Sequence, residues 1–342
     1  SSLIRISMPA SYQAESLAQV LLQKAELLSG MRSGTTCARI CAGKSDGCAG
    51  LIVDRFGALV VATDYAEPRP RGEVHATSLL ACLEDFFPGC HLVVKTRGGE
   101  AGAFICEQSV PAASGPIVAE ERGLRFEIGT DPAHDFGLYL DAAKARLHLR
   151  RISAGKRVLN LFCYTAGFGI AAAAGGATEV TNVDPNRQYL AWARRNAVLN
   201  GMELRILPDT AQDFLGKHLR RIARTPATPG FDVVVVDPPA FGVGRGNKRL
   251  LRKLWPELFA SLRAMNPAHV LLLCNDKYFR GKQDFRKLVE SELGRTYQFE
   301  RLGTTLEASE IGAAEPDLSW RPKIEDPFYL EPMVLSGRSK KA

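Results

Sequence analysis

The pattern of apolar and polar residues divides the chain into two parts with different rhythms. Residues 13–30 place four apolar side chains at helical spacing before Gly30, which predicts one amphipathic helix. Short apolar runs separated by Gly and Pro then predict strands of a small sheet, with a helix near residues 79–86. These runs are 51–53, 59–63, 92–95 and 103–107. The first part is expected to be a small α/β or β-rich domain.

From Arg157 onward, continuous apolar runs alternate with helical patterns. This alternation is typical of a parallel sheet covered on both faces, so we predict a doubly wound, Rossmann-like α/β fold. Two final strands, 297–302 and 328–335, predict an antiparallel hairpin at the sheet edge. Residues 109–116 resemble a linker, so we place the domains at 1–120 and 121–342, the first a candidate RNA-binding domain.

Composition limits the classes of function that fit this fold. The 342 residues are 46% hydrophobic and 24% charged, which indicates folded domains rather than a disordered chain. No apolar run is long enough to span a bilayer, and the eight cysteines are scattered without metal-ligand spacing. We therefore expect a cytoplasmic monomer or homodimer without a metal site and without a membrane partner. The net charge of +7 favours an anionic partner, of which nucleic acid is the commonest.

Ligands of doubly wound folds bind outside the carboxyl ends of the strands. The first of these strands is followed by a turn containing Gly167 and Gly169, which would let a ligand approach the backbone and a helix N-terminus. Asp184 ends the second strand, where a carboxylate accepts hydrogen bonds from ribose or caps the next helix. Asp209 follows the third strand, where it faces an adenine amino group or acts as a plain helix cap.

The fourth strand carries the most specific pattern. Residues 231–236, Phe-Asp-Val-Val-Val-Val, predict a buried strand, which is followed by Asp237, two prolines, an alanine and Phe241. Prolines stop a strand and stiffen the loop, so Asp237 and the adjacent carbonyls are expected to point at a planar substrate. A purely structural turn is the alternative.

Taken together, these motifs resemble the class I methyltransferases, in particular bacterial large-subunit ribosomal RNA methyltransferases of the RlmI type and the C-terminal half of the RlmKL type. Residues 44–57 look like the small domain of that group, and residues 137–141 look like its GxFLDQR motif. The resemblance implies S-adenosylmethionine as the cofactor. The cofactor-binding residues it implies are Asp141, Asn160, Phe162, Tyr164, Gly167, Phe168, Asp184, Asp209 and Asp237.

Two departures from the family pattern concern the cofactor site. Ala142 and Ala143 stand where relatives have Gln-Arg, which leaves Asp141 and Arg146 as the candidates for the methionine end. Ala166 stands where relatives have glycine and adds a methyl group close to the cofactor. We expect cofactor binding to survive both changes.

The residues after the fifth strand bear on which RNA base is methylated. Methylation at cytosine C5 needs a cysteine thiolate, for which Cys274 is the candidate. Relatives acting on cytosine have Ser-Cys-Ser here, whereas Cys274-Asn275-Asp276-Lys277 looks more like the Ser-Asn-Asn-Lys of the guanine-N7 enzymes. Guanine N7 is already nucleophilic and needs only positioning, so we favour this atom.

The expected roles around such a base are as follows. Asp237, Pro238 and Phe241 shape the pocket, and Phe241 offers a stacking face. Further candidates for substrate contacts are Arg245, Lys248, Arg249, Asn275 and Lys277.

Other readings remain open at this point. They are a small-molecule methyltransferase, a non-catalytic RNA-binding module that retains the cofactor fold, and an NAD-linked oxidoreductase. The double-proline loop disfavours the last of these.

Overall fold

A computed structural model gives the fold, and it describes most of the chain. The described residues are 12–23, 35–48, 51–64, 76–97, 104–108, 116–130, 136–239, 248–274, 282–294, 296–301 and 331–337. They fall into two compact units, the first ending at Leu140 and the second beginning at Asp141. The boundary expected near residue 120 therefore lies inside the first unit. Within the described residues, no helix is both long enough and apolar enough to cross a membrane.

The first unit contains a five-stranded mixed sheet with two helices. Its elements are α1 (Tyr12–Gln23), β1 (Cys37–Ala42), β2 (Leu51–Phe56), β3 (Leu59–Asp64), α2 (Ala76–Glu84), β4 (His91–Arg97), β5 (Phe104–Gln108), β6 (Ile117–Glu121) and β7 (Leu124–Ile128). The strand order is β1-β2-β3-β4-β5, and only the β3–β4 pair is parallel. Strands β6 and β7 form a separate antiparallel pair. The first unit is therefore a small α/β domain.

The core of the first unit contains four cysteines, Cys41, Cys48, Cys82 and Cys90. They are free thiols. A hydrogen bond with Cys48, together with burial, raises the pKa of the Cys41 thiol, so this sulfur stays protonated. No group of three or more His, Cys, Asp or Glu side chains suited to a metal ion is found in the described part of the chain.

The second unit is a seven-stranded sheet with helices on both faces. Its elements are α3 (Ala143–Ile152), β8 (Arg157–Leu161), α4 (Gly167–Ala174), β9 (Glu179–Asp184), α5 (Arg187–Leu199), β10 (Arg205–Pro208), α6 (Ala211–Arg224), β11 (Val233–Val236), α7 (Lys248–Met265), β12 (His269–Cys274), α8 (Lys282–Leu293), β13 (Tyr297–Arg301) and β14 (Glu331–Gly337). The strand order is β10-β9-β8-β11-β12-β14-β13. Strand β14 runs opposite to the other six strands and pairs antiparallel with both β12 and β13, which confirms the Rossmann-like fold and the terminal hairpin.

Strand alternation sorts the apolar residues of this sheet into two cores. Val234, Val236 and Leu272 face one layer, where they pack with Trp255 and Phe259 of α7. Their strand neighbours, among them Val235 and Leu273, face the other layer, which contains Ala145 of α3. Because side chains point to alternate faces along a strand, the parity of a position decides which layer it joins. We call these two sides the α7 face and the α3 face.

Several elements were not anticipated from the sequence, including β1, β6, α3, α6 and α8. Of α6 only the start was implied, by the helix-cap alternative for Asp209, and its fully buried side chains are Ala211 and Leu215. Its apolar residues Phe214, Leu215, Leu219 and Ile222 nevertheless recur at helical spacing, so the sequence offered a signal for this helix, and Thr210 caps it.

One glycine of the second unit tests how tightly β9 packs against α4. A Cβ atom on Gly169 would overlap with Oδ1 of Asn182, closer than real Cβ contacts come. We expect Gly169→Ala to lower the free energy of unfolding by about 1–3 kcal/mol, because Asn182 must move within a buried site. Urea denaturation followed by circular dichroism measures the change.

Gly216→Ala provides the matched control, since a Cβ there makes only an ordinary 3.5 Å contact with Arg220 in the middle of α6. Helix propensity predicts a gain in stability of about 0.5–1 kcal/mol for this change. Similar effects from the two substitutions would contradict the packing argument.

Candidate active site

The loop between β8 and α4 has an unusual backbone. Phe162, Tyr164 and Ala166 all have positive φ angles, of 57°, 50° and 67°. Each such residue costs about 1–2 kcal/mol relative to a right-handed conformation, because its Cβ crowds the carbonyl oxygen. The loop is held by hydrogen bonds from Cys163 N to Val183 O (3.0 Å) and from Ala166 N to Cys163 O (2.8 Å). Glycine adopts this left-handed conformation without that steric cost, so Ala166 adds backbone strain to the loop.

This loop places the N-terminus of α4 at the edge of the sheet. Ala166 is the N-cap residue, and its side chain makes no capping hydrogen bond. Gly167 is the first helical residue, and Phe168 is almost fully buried. The first N–H groups of a helix carry a partial positive charge, so this end is suited to an anionic group such as a carboxylate.

Asp184 lies at the end of β9 and is held by the same loop. Its Oδ2 accepts from Tyr164 N at 3.1 Å, and its Oδ1 accepts from Asn186 N at 2.8 Å. Burial raises the pKa of this carboxyl, while the two backbone donors act in the opposite direction. The side chain of Asn186 caps α5 by accepting from Gln188 N and Tyr189 N. Asp184 is therefore not the cap of α5, and each of its oxygens retains a lone pair for a ligand hydroxyl.

Asp209 has a different environment at the end of β10. Its Oδ2 lies 2.7 Å from Nζ of Lys217 in α6, and its Oδ1 accepts from Thr210 N at 3.1 Å. Thr210 caps α6 through a hydrogen bond from Asp213 N. Asp209 is thus the ion-pair partner of Lys217 rather than the helix cap. An adenine amino group that contacted Asp209 would bind a carboxylate that already interacts with Lys217.

Asn160 lies inside the sheet and is fully buried. Its Nδ2 donates to Oδ1 of Asn182 on the neighbouring strand at 2.9 Å. Asn182 is in turn the residue that a side chain at position 169 would strike. Gly169 is therefore required because the Asn182 side chain lies against it. The sequence analysis had instead expected a ligand to approach the backbone at this glycine.

Asp237 follows β11 on the α3 face and is half-buried. Burial, and then the charge of the nearby Asp141, raises the pKa of its carboxyl to about 7, while Arg146 acts in the opposite direction. Arg146 is itself almost fully buried, and its guanidinium lies 5.9 Å from the ring centre of Phe168. Pro238 is buried and Pro239 is exposed, so the double-proline loop leaves the sheet directly after Asp237. These groups form an acidic and cationic cluster beside the start of α4.

Cys274 ends β12, beside β11, at the same edge of the sheet. Its side chain is half-buried and packs against the core of the α7 face. Asp237 belongs to the opposite face, as its interactions with Asp141 and Arg146 show. The two residues are therefore near in the strand order but on different sides of the sheet.

An aromatic cluster beside the loop was missed by the sequence reasoning. The Tyr164 ring contacts Tyr189 edge-on at 4.6 Å and Trp192 at 6.3 Å, measured between ring centres. Tyr189 and Trp192 are three residues apart on α5 and so share one face of that helix. This i, i+3 pair directly after Asp184 is the signal that the sequence offered for the cluster.

Some of the proposed substrate contacts cannot be placed. Phe241, Arg245, Asn275 and Lys277 lie outside the described residues. Lys248 and Arg249 form the first turn of α7, where the structure describes their backbone only.

The pKa of Asp237 makes a testable difference to stability. Between pH 3.8 and about 7 the folded state keeps a proton that the unfolded state has lost, so stability falls as pH rises through this window. Asp237→Asn removes the ionisation and is expected to stabilise the protein at pH 8 by about 2–4 kcal/mol, with little effect at pH 4. Urea denaturation at pH 4 to 8 measures the difference.

The exposed carboxyl of Glu203 provides the control, as Glu203→Gln changes the same charge without burial. Parallel stability curves for the wild type and Asp237→Asn would show that Asp237 ionises normally.

The arrangement of the chain is similar to that of solved methyltransferases. A SAM-dependent methyltransferase from Agrobacterium tumefaciens superimposes with a TM-score of 0.62 at 19% identity, covering 90% of this chain and 97% of the other. A candidate SAM-dependent methyltransferase from Streptococcus mutans superimposes with a TM-score of 0.72 at 20% identity, covering 97% and 82%. At these identities the similarity establishes the fold.

Sequence relatives identify the family. Ribosomal RNA large subunit methyltransferase I of Klebsiella pneumoniae is 30% identical over 290 residues, which are 78% of this chain and 68% of the relative. The protein of the same name from Aeromonas hydrophila is 30% identical over 322 residues, which are 90% and 76%. The model of the S-adenosylmethionine-dependent methyltransferase family matches residues 51–312. The chain therefore belongs to the S-adenosylmethionine-dependent methyltransferase family, and its cofactor is S-adenosylmethionine.

Proposed function

We propose that this protein methylates a base of large-subunit ribosomal RNA. The observation that carries the proposal is the position of Asp237. It lies between the fully buried strand β11 and a loop of two prolines, at the edge of the sheet that also carries the strained loop before α4. A half-buried carboxyl on a rigid loop suits the recognition of a flat base with hydrogen-bond donors on its edge. The net charge of +7 and the names of the relatives support RNA as the substrate.

The residues around α4 fit the cofactor. Asp184 keeps acceptor capacity on both oxygens for the two ribose hydroxyls, because each oxygen has only one backbone donor. The N-terminus of α4 suits the carboxylate of the methionine part, and Asp141 suits its amino group. S-adenosylmethionine supplies an electrophilic methyl group on a sulfonium, and the carboxyl of Asp237 would favour that positive charge nearby.

We propose guanine N7 as the acceptor atom. A guanine presents N1–H and N2–H₂ donors along its Watson–Crick edge, which match the two oxygens of an ionised Asp237. Methyl transfer to N7 needs no nucleophilic residue, so holding the base in line is the main task of the protein. Cys274 packs on the α7 face, away from the side on which Asp237 meets Arg146.

Cytosine C5 is the second candidate, and one observation favours it. Cys274 ends β12 beside β11 at the edge of the sheet where Asp237 lies, and it is only half-buried. A covalent mechanism would need its thiolate to add to C6 of the base, so that C5 takes the methyl group and S-adenosylhomocysteine leaves. A general base would then remove the C5 proton as the thiolate is eliminated.

The deciding experiment transfers a labelled methyl group from S-adenosylmethionine to bacterial large-subunit rRNA. Nuclease digestion and mass spectrometry then identify the modified nucleoside. We expect 7-methylguanosine. Recovery of 5-methylcytidine would replace this assignment with the covalent one, and no incorporation despite cofactor binding would refute RNA as the substrate.

Substitutions of Asp184 and Asp237 should affect different quantities, the affinity for the cofactor product and kcat respectively. Asp184→Ala is expected to weaken the binding of S-adenosylhomocysteine about 10- to 100-fold, because it removes the ribose acceptor and leaves two backbone donors unpaired. Asp237→Ala should instead lower kcat with a much smaller effect on that binding. Calorimetry and steady-state kinetics measure the two quantities, and equal small effects would refute the site assignment.

The role of the thiol is tested by Cys274→Ala. We expect this variant to retain most of the methyl-transfer activity, since the thiol packs on the α7 face. Loss of activity, together with trapping of 5-fluorocytosine RNA by the wild type but not by the variant, would establish Cys274 as a nucleophile.

A further inference from the structure

A second concave site lies on the α7 face of the second unit, between α6 and the edge of the sheet. The cavity has a volume of about 470 Å³ and opens to solvent. We call it the α6 groove. Its strand wall includes Arg157, Glu179 and Arg205, and its helix wall includes Phe214, Lys217 and Arg221. A cavity of this volume is within the range that holds small ligands.

The α6 groove is positioned differently from the proposed methyl-transfer site. Arg157, Glu179 and Arg205 are the first residues of β8, β9 and β10, whereas Asp184 and Asp237 lie at the carboxyl ends of their strands. The four residues of β10 separate Arg205 from Asp209 by about 13 Å at the usual rise of a strand. Asp209 at the far end of the groove is the only residue shared with the proposed cofactor contacts.

Cationic side chains outnumber carboxylates in the α6 groove. Arg157, Arg205, Lys217 and Arg221 line it together with two carboxylates, those of Glu179 and Asp209. Glu179 lies 2.8 Å from Arg157 and 3.8 Å from Arg205, and Asp209 lies 2.7 Å from Lys217. Both carboxylates are thus already paired, and the groove keeps an excess of positive charge that favours an anion.

The floor of the α6 groove is aromatic. His218 stacks on Phe214 at 6.0 Å with an interplanar angle of 7°, and it lies 4.9 Å from Phe231. Among the described residues, its Nε2 atom is buried and has no hydrogen-bond partner. Burial, and then the charge of Arg157, lowers the pKa of His218, so the ring is neutral near pH 7. Because Nε2 is buried, His218 contributes an uncharged ring to this floor rather than a hydrogen bond to a ligand.

We propose that the α6 groove binds one nucleotide of the RNA substrate, with the phosphate between Arg205 and Arg221 and the ring against Phe214 and His218. Cationic grooves lined with aromatic rings are the general means by which proteins hold single-stranded nucleic acid. The RNA origin of the nucleotide rests on the proposed function, whereas binding of a nucleotide does not.

The first test uses mononucleotides and does not depend on catalysis. Cytidine and guanosine monophosphates are titrated into the ¹⁵N-labelled protein, with inorganic phosphate in parallel. We expect the nucleotides to shift the amide signals of residues 205–221 and the imidazole signals of His218 at lower concentrations than phosphate does. Equal responses to phosphate and nucleotides would refute ring recognition, and the absence of any response would refute the site.

The second test uses RNA and a charge-matched pair of variants. Arg205→Glu/Arg221→Glu changes two exposed arginines of the groove, and Arg220→Glu/Arg224→Glu changes two exposed arginines of α6 that do not line it. We expect the groove variant to bind a large-subunit rRNA transcript about tenfold more weakly at 0.15 M salt, with a lower salt slope. Its KM for RNA should rise while kcat and S-adenosylhomocysteine affinity stay unchanged.

The control variant should show a much smaller loss, because it has the same net charge without the groove contacts. Equal losses in the two variants would refute the groove as an RNA site. If the wild type transfers no methyl group to RNA, the proposed function fails, while the mononucleotide titration still decides whether the groove binds a nucleotide.

Discussion

The second unit depends on strand β11, whose four valines are completely buried between two parallel neighbours. Val233–Val236 pair with β8 on one side and with β12 on the other. A parallel strand buried on both faces leaves no freedom of register, because a shift would expose apolar side chains and break both ladders. The carboxyl ends of β8, β9, β11 and β12 therefore meet at one edge, which brings Asp184, Asp237 and Cys274 to that edge.

The same alternation of side chains separates chemistry between the two faces. Asp237 joins Asp141 and Arg146 on the α3 face, whereas Cys274 packs against the α7 core. Two residues that the sequence places at equivalent strand ends are thus in different environments. Asp237 and Cys274 lie at neighbouring strand ends, but their side chains point to opposite faces of the sheet. This difference in direction weighs against a joint role for the two residues. The α6 groove lies on the α7 face, where the odd-numbered residues of β9 and β10 point.

The loop before α4 illustrates how local strain is offset by tertiary contacts. Three left-handed residues within five positions are unfavourable by themselves. Their cost is offset by hydrogen bonds to β9, including the charge-assisted bond from Tyr164 N to Asp184, and by the packing of Phe168 beside Arg146. Asp184 is in turn oriented by this loop and by Asn186, so the loop and the carboxylate position each other.

The sequence by itself determined the alternation of strands and helices, the Rossmann-like class and the motifs at the strand ends. Long apolar runs such as 233–236 and punctuation by Gly and Pro are local signals, and they need no knowledge of neighbouring strands. Only the tertiary structure decided which partner each polar side chain meets. Asn186 rather than Asp184 caps α5. Asp209 pairs with Lys217, and Gly169 packs against Asn182. These outcomes depend on contacts between residues distant in sequence or on exact helix boundaries, which a periodic pattern does not encode.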